Sequence, residues 1–294
     1  MLETTRIDLL RDWHNLVKDI LNKENYNTEE LDDDLIGITY FAYLKRIVAP
    51  KKRKILKSRE FSCPPELYAG LEQLELKISL GSELRPYLSR AVKRASNNDL
   101  LLYDWDIHHL HLGSIVEKDG FIQRTGPVVF IRFSEETAYL LNVFKHGNWS
   151  NAELIKIIHE NWPESIKNCR IKDVIGLSTT ISSPERQLLR AHQINSPVEI
   201  APSVVYAGLG MGTSMSGTSN LALFKYVKLR EALLEIEAML KKNPGEYLNR
   251  VFENLPVIAN PKLTFRLNRN GGGYTITEEN NNIVINLEKR KQLQ

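Results

Sequence analysis

Asp104–Gly113 reads DWDIHHLHLG, with three histidines in four residues, and it closes a stretch, Leu100–Leu112, that reads as a buried strand. A strand sends successive side chains to opposite faces. His109 and His111 therefore share one face with Ile107, while Asp106, His108, Leu110 and Leu112 take the other. Neighbouring imidazoles are costly to bury unless partners satisfy them, so the segment is a site candidate.

Working outward, Pro127–Phe133 (PVVFIRF) and Ala138–Phe144 (AYLLNVF) also read as strands. The polar turn Glu117–Gly126 before them suggests an antiparallel pair. A helix follows, with Ser150 and Glu153 at capping-box spacing, Ile155, Ile158 and Trp162 on one face, and Pro163 at its end. On the N-terminal side, Leu9, Leu10, Trp13, Leu16, Val17 and Ile20 predict a helix over residues 5–22. After the acidic connector Glu24–Asp34 come apolar Leu35–Val48 and a basic run, Lys51–Arg59. Helices are then predicted from Pro64-Pro65 through Leu76 and over Leu84–Ala95. On the C-terminal side, Ser183-Pro184-Glu185 opens a short helix through His192. Leu229, Leu233, Ile236 and Leu240 form the apolar stripe of a long helix over Leu221–Lys242. Strands on either side of Gly271-Gly272-Gly273, with NNIVINL after them, predict a meander.

These elements predict an α+β protein with no internal repeat. Residues 1–98 form a mainly helical region, 99–168 a central antiparallel sheet with the histidines and the capped helix, and 169–294 a C-terminal helix plus β-meander. The sequence leaves open whether the two strand clusters share one sheet.

The 294 residues, 42% hydrophobic and 26% charged, suit an ordinary globular protein. A net charge of +3 permits a nucleic-acid partner without signalling one. Cys63 and Cys169 are too few and too far apart for a disulfide framework or a cysteine-ligated zinc site, and they suit a reducing compartment. No run of 18 apolar residues predicts a membrane span and no apolar leader opens the chain, so the expectation is a soluble, cytoplasmic protein with no membrane partner.

Two chemistries can use the histidines. His109 and His111, joined by His146 beyond the third strand, form a potential ligand set for zinc or another divalent metal. Asp104 and Asp106 fall on the opposite strand face, and no His-Glu-x-x-His pattern is present. The second chemistry needs no cofactor. RNA carries its own nucleophile, the 2′-hydroxyl, and its cleavage needs a general base, a general acid and a cation. His108, His109, His111 and His146 are the proton-transfer candidates, with Arg124, Arg132 and Lys145 as phosphate clamps. Strand geometry sets His108 against the His109/His111 pair, and the pair with His146 is preferred. On a third, non-enzymatic reading the histidines pin the sheet through backbone carbonyls, in a binding or regulatory protein.

Other features have plainer readings. GLGMGTSMSGTS (residues 208–219) reads as a connecting loop before a phosphate cradle, because Walker A and dinucleotide-binding spacings are absent. Lys51–Arg59 reads as a solvated face before a nucleic-acid track. Trp149 and Trp162 read as packing residues, and His14, His159 and His192 as surface or packing residues on helices.

The block from Gly81 to Pro163 resembles a group of uncharacterised bacterial proteins that carry a W-x-IHHLHLG segment, a hydrophobic strand pair, a histidine and an Asn-Trp-Pro. No activity is implied by that resemblance. In layout alone, helices followed by an antiparallel sheet bearing His and Arg, the chain is similar to the Barnase–EndoU–colicin–RelE class of metal-independent ribonucleases. That similarity implies a bacterial endoribonuclease acting as a toxin or phage-defence effector, with RNA as substrate and an antitoxin or inhibitor protein as partner.

Overall fold

The structure, a computed structural model, describes residues 2–95, 97–254, 256–270 and 273–287. It is α+β, and the chain divides into two compact units: residues up to Phe41 together with those from Leu223, and the stretch Ala42–Ala222. Gly271 and Gly272 of the predicted glycine turn lie outside the described residues.

In the first unit, the sheet has the order β1 (Glu3–Arg6), β9 (Lys262–Asn270), β10 (Gly273–Glu278), β11 (Ile283–Asn286). β9, β10 and β11 are the expected antiparallel meander, and β1 adds to it in parallel. Residues 3–6 are an edge strand, so Thr5 and Arg6 do not begin the helix; α1 spans Leu9–Lys23 with Asp8 as its cap, and α2 spans Asp33–Arg46. Trp13 is fully buried and stacks on Phe41 and Tyr226 at 5.9 and 5.8 Å. Beside it, His14 Nε2 lies 3.0 Å from the Tyr226 hydroxyl, so this histidine is a packing residue.

The second unit is built on a sheet of order β2 (Lys54–Lys57), β5 (Thr137–Lys145), β4 (Pro127–Phe133), β3 (His108–His111). β3, β4 and β5 are antiparallel, whereas β2 joins β5 in parallel, so the central sheet is mixed. Its two faces carry separate cores. Leu110, Val129, Ile131 and Leu140 pack with Leu71, Leu74 and Ile78 of α3 (Tyr68–Leu80). Ile107, Val128, Phe130 and Leu141 pack with Leu154, Ile155 and Ile158 of α5 (Glu153–Asn161). A small sheet of order β6 (Arg170–Ile171), β8 (Val204–Tyr206), β7 (Val198–Ala201) completes this unit.

Three local expectations are corrected. Leu100–Leu112 is not one strand: α4 occupies Leu100–Trp105, because the Asp99 side chain caps it at Leu102 N–H and Asp106 ends it at φ 58°. Asp tolerates that left-handed conformation better than most residues. Leu84–Ala95 is two short 3-10 turns, Arg85–Tyr87 and Arg90–Lys93, interrupted at Leu88 and Ser89. Ser150 is not a helix cap. Asn151 accepts from Glu153 N–H instead, and a true capping box joins Ser182 and Glu185 at the start of α6 (Ser183–Ala191).

The clearest close approach is at Gly70 of α3, where a Cβ would stand 1.8 Å from the Leu112 carbonyl oxygen. The helix can lie against the end of the histidine strand only without a side chain there. Gly70→Ala should lower the stability of this unit by about 1–3 kcal/mol, seen as a lower denaturant midpoint. An unchanged midpoint would mean that the contact relaxes freely.

Candidate functional site

The register of β3 on β4, with His109 opposite Phe130 and His111 opposite Val128, sends both histidines to the face shared with α5. His108, opposite Ile131, turns to the other face, where its ring meets Phe133 edge-on at 5.4 Å. Its Nε2–H donates to the Lys45 carbonyl oxygen at 3.2 Å. His146 follows the last residue of β5, and its amide donates to Gly126 O at 2.9 Å. That bond places its ring 6.1 Å from His111, nearly parallel, and 6.3 Å from His109, perpendicular. Trp149 lies against both outer rings, 4.3 Å from His109 and 4.7 Å from His146.

His109, His146, Trp149 and Arg124 line one cleft of about 330 Å³ with Ser89, Asn97, Asn98, Asp99, Gln187 and Arg190. Asp99 Oδ2 is 3.9 Å from His109 Nδ1, an ion pair that exists only while the ring carries a proton. Behind the cleft, His111 is 2% exposed, and its Nδ1 accepts from Thr125 N–H at 3.3 Å. An accepting Nδ1 places the proton of the neutral ring on Nε2.

Burial dominates the electrostatics. It pushes His111 down to about 4, with His109, Arg124 and His146 adding to the effect. His108 is also pushed down to about 4 by burial, against the opposing pull of Asp106 and Asp99. His146 is lowered by burial first and by His109 and Arg124 next. Several imidazoles beside a guanidinium resist simultaneous protonation, because each added charge repels the others.

Two clamp candidates lie elsewhere. Arg132 Nε is 3.5 Å from Asp106 Oδ2, a carboxylate that also binds Lys45 Nζ at 2.7 Å. Lys145 is exposed at the end of β5, and neither residue lines the cleft. The opposite wall escaped sequence reading. α6 buries Arg186 and Arg190 while leaving Leu188 exposed, the reverse of an apolar stripe. The available signal was two arginines at i, i+4 and an aspartate, Asp104, beside a buried tryptophan.

The other segments singled out in the sequence make local contacts within their own unit. Gly210 N–H donates to Asp104 O and Gly212 N–H to Tyr103 O, both at 2.8 Å, so residues 208–212 cap the C-terminus of α4. In the basic run, Lys51 pairs with Glu135 and Lys57 with Glu75, each at 2.7 Å. His159 Nδ1 contacts the Tyr206 hydroxyl at 2.8 Å, and His192 Nδ1–H donates to Leu188 O at 2.9 Å.

Among the described residues, no group of three or more His, Cys, Asp and Glu side chains is arranged to hold a metal ion. No helix among them is long and apolar enough to cross a membrane. Compared with known proteins, the chain matches no family model, no curated protein and no solved structure.

The buried rings make a pH-dependent contribution to stability. Above the ordinary imidazole value of 6.5, His108 and His111 are neutral in both folded and unfolded chains, and their contribution is complete. As pH falls from 6.5 to about 4, the unfolded chain takes up protons that the folded one refuses. Stability should then drop by about 1.4 kcal/mol per pH unit for each ring and level off once the folded rings protonate. Denaturant midpoints across this window should show a shallower slope for His108→Gln than for the unaltered chain. Equal slopes would remove His108 from the acid response.

Proposed function

We propose that the cleft cleaves single-stranded RNA by acid–base chemistry, with His146 as general base, His109 as general acid and Arg124 as the phosphate cation. The observation that carries this reading is the convergence of His109, His146 and Arg124 on one cleft, with Asp99 facing the His109 ring. His146 is exposed and held below its ordinary value, so it is largely neutral near pH 7 and can accept a proton. His109, once protonated, pairs with Asp99 and can deliver that proton.

In the step itself, His146 takes the proton of the 2′-hydroxyl, and the oxygen attacks the adjacent phosphorus. The bond to the 5′-oxygen breaks, and His109 protonates that oxygen as it leaves. The products are a 2′,3′-cyclic phosphate and a free 5′-hydroxyl, with no external oxidant or cofactor in the balance. Arg124 offsets the charge on the non-bridging oxygens as it grows. His111, dry and neutral behind His146, supports the stacked ring without itself exchanging protons. Arg132 and Lys145 have no part in the step, and the roles of toxin or phage-defence effector, and an antitoxin partner, are extensions of the same proposal.

Incubation with single-stranded RNA in excess chelator tests the reading, with the chemical nature of the new ends as the readout. Cyclic phosphate ends are expected, with His109→Ala and His146→Ala each losing about 100-fold or more and Lys145→Ala nearly unchanged. The acid limb of the rate profile should fall below 6.5, where His146 takes up its proton. Absence of cleavage, full activity in His146→Ala, or abolition by chelator would overturn it, the last in favour of a metal site on the same histidines.

A further inference from the structure

We infer that Arg190 is a positioning residue: held by Asp104, it fixes the Trp149 peptide and through the Trp149 indole sets the rings of His109 and His146. Its bearing on catalysis rests on the acid–base reading above, whereas its effect on the rings does not.

The chain of contacts is continuous. Arg190 is 5% exposed, and its Nε donates to Asp104 Oδ2 at 2.7 Å. Nη1 turns the other way and donates to Ser150 Oγ at 3.2 Å and to the Trp149 carbonyl oxygen. The guanidinium carbon lies 4.0 Å from the centre of the Trp105 ring, which fixes the plane of the fork. Burial raises the Asp104 carboxyl above its ordinary value, and Arg190 pulls it back down. A partner needed only for its charge would face Asp104 alone; this guanidinium also bridges to the backbone of a different segment.

That segment is otherwise held by the packing of Trp149 and Ala152 on the apolar cluster beneath α5 and by a few backbone bonds. Residues 146–152 lie between β5 and α5, and Gly147 takes a φ of 107°. Its amide bonds to the rest of the unit include His146 N–H to Gly126 O at 2.9 Å, and Asn148 N–H closes a turn on Lys145 O at 3.4 Å. Trp149 nevertheless stands 4.3 and 4.7 Å from two imidazoles, with Phe130 at 5.6 Å beneath it. The planar fork of arginine can serve a carboxylate and a carbonyl at once, which the single ammonium of lysine does poorly.

The test is a pH titration of the imidazole ring resonances by NMR in the full chain, Arg190→Lys and Asp104→Asn. Both variants leave every ring of the cluster in place, and Arg190→Lys also keeps the charge. Expected are altered ring shifts for His109 and His146 and an upward move of the His146 titration toward 6.5 as water enters. His108, on the opposite face of the same strand, serves as the internal control and should not move. Where RNA is cleaved, Arg190→Lys should lower kcat with KM little changed. A folded variant with His109 and His146 resonances and titration unaltered would overturn the inference, as would equal movement of His108. If Arg190→Lys does not fold, Asp104→Asn decides by the same criteria. Moved rings in a chain that cleaves no RNA would uphold the positioning role and sink the ribonuclease.

Discussion

The pairing of His108–His111 with Val128–Ile131 fixes what each histidine can do. Side chains alternate along a strand, so a slip of one residue would exchange the two faces completely. His109 and His111 would then enter the core with Leu71, Leu74 and Ile78, and Leu110 would face the cleft. Two large apolar clusters, one on each side of the sheet, oppose that slip. Each stabilises the register because moving it would expose leucine and isoleucine on both faces at once. The site is therefore specified in part by apolar residues on the far face of the sheet, and the imidazoles inherit their directions from Leu110, Val129 and Ile131.

Burial then separates the rings by environment. His111 is dry, His146 is wet, and His109 stands between them beside a carboxylate. Three side chains of one type thus acquire different properties from position alone. Arg124 at the rim discourages protons on the same rings that an anion would help to protonate. An anion entering the cleft would offset the guanidinium and raise the proton affinity of His146, so its binding and protonation would be coupled by linkage.

Much of this arrangement was legible in the sequence. The short apolar run PVVFIRF marked a strand, and the alternation of side chains along the histidine segment separated His108 from His109 and His111. The stripe Leu229, Leu233, Ile236 and Leu240 marked α7 (Asn220–Lys242), all four residues being buried. Elsewhere the pattern was ambiguous. Leu100–Tyr103 fits a strand or a helix equally, and Asp99 and Asp106 decide the matter through a cap and a left-handed turn. Ser150 had the spacing of a cap, yet its hydroxyl accepts from Arg190, forty residues later in the chain. Neither periodicity nor propensity carries information about such a contact. The far wall of the cleft is made of loops and a helix whose buried face is arginine, so no hydrophobic pattern pointed to it.

The glycine loop at residues 208–212 has a dynamic consequence. Gly210 and Gly212 close the end of α4 with their amides, and Gly208 and Gly210 lie so near it that a Cβ would fall 2.5 and 2.4 Å from Asp104 Oδ1 and Tyr103 O. Loop and helix end thus share hydrogen bonds that neither can keep alone, and lifting the loop would remove those bonds from the last turn of α4. Local opening of the loop would therefore loosen the end of α4 that carries Asp104. Amide exchange at Gly210 and Gly212 reports the breathing of one wall of the cleft from a segment that carries none of its histidines.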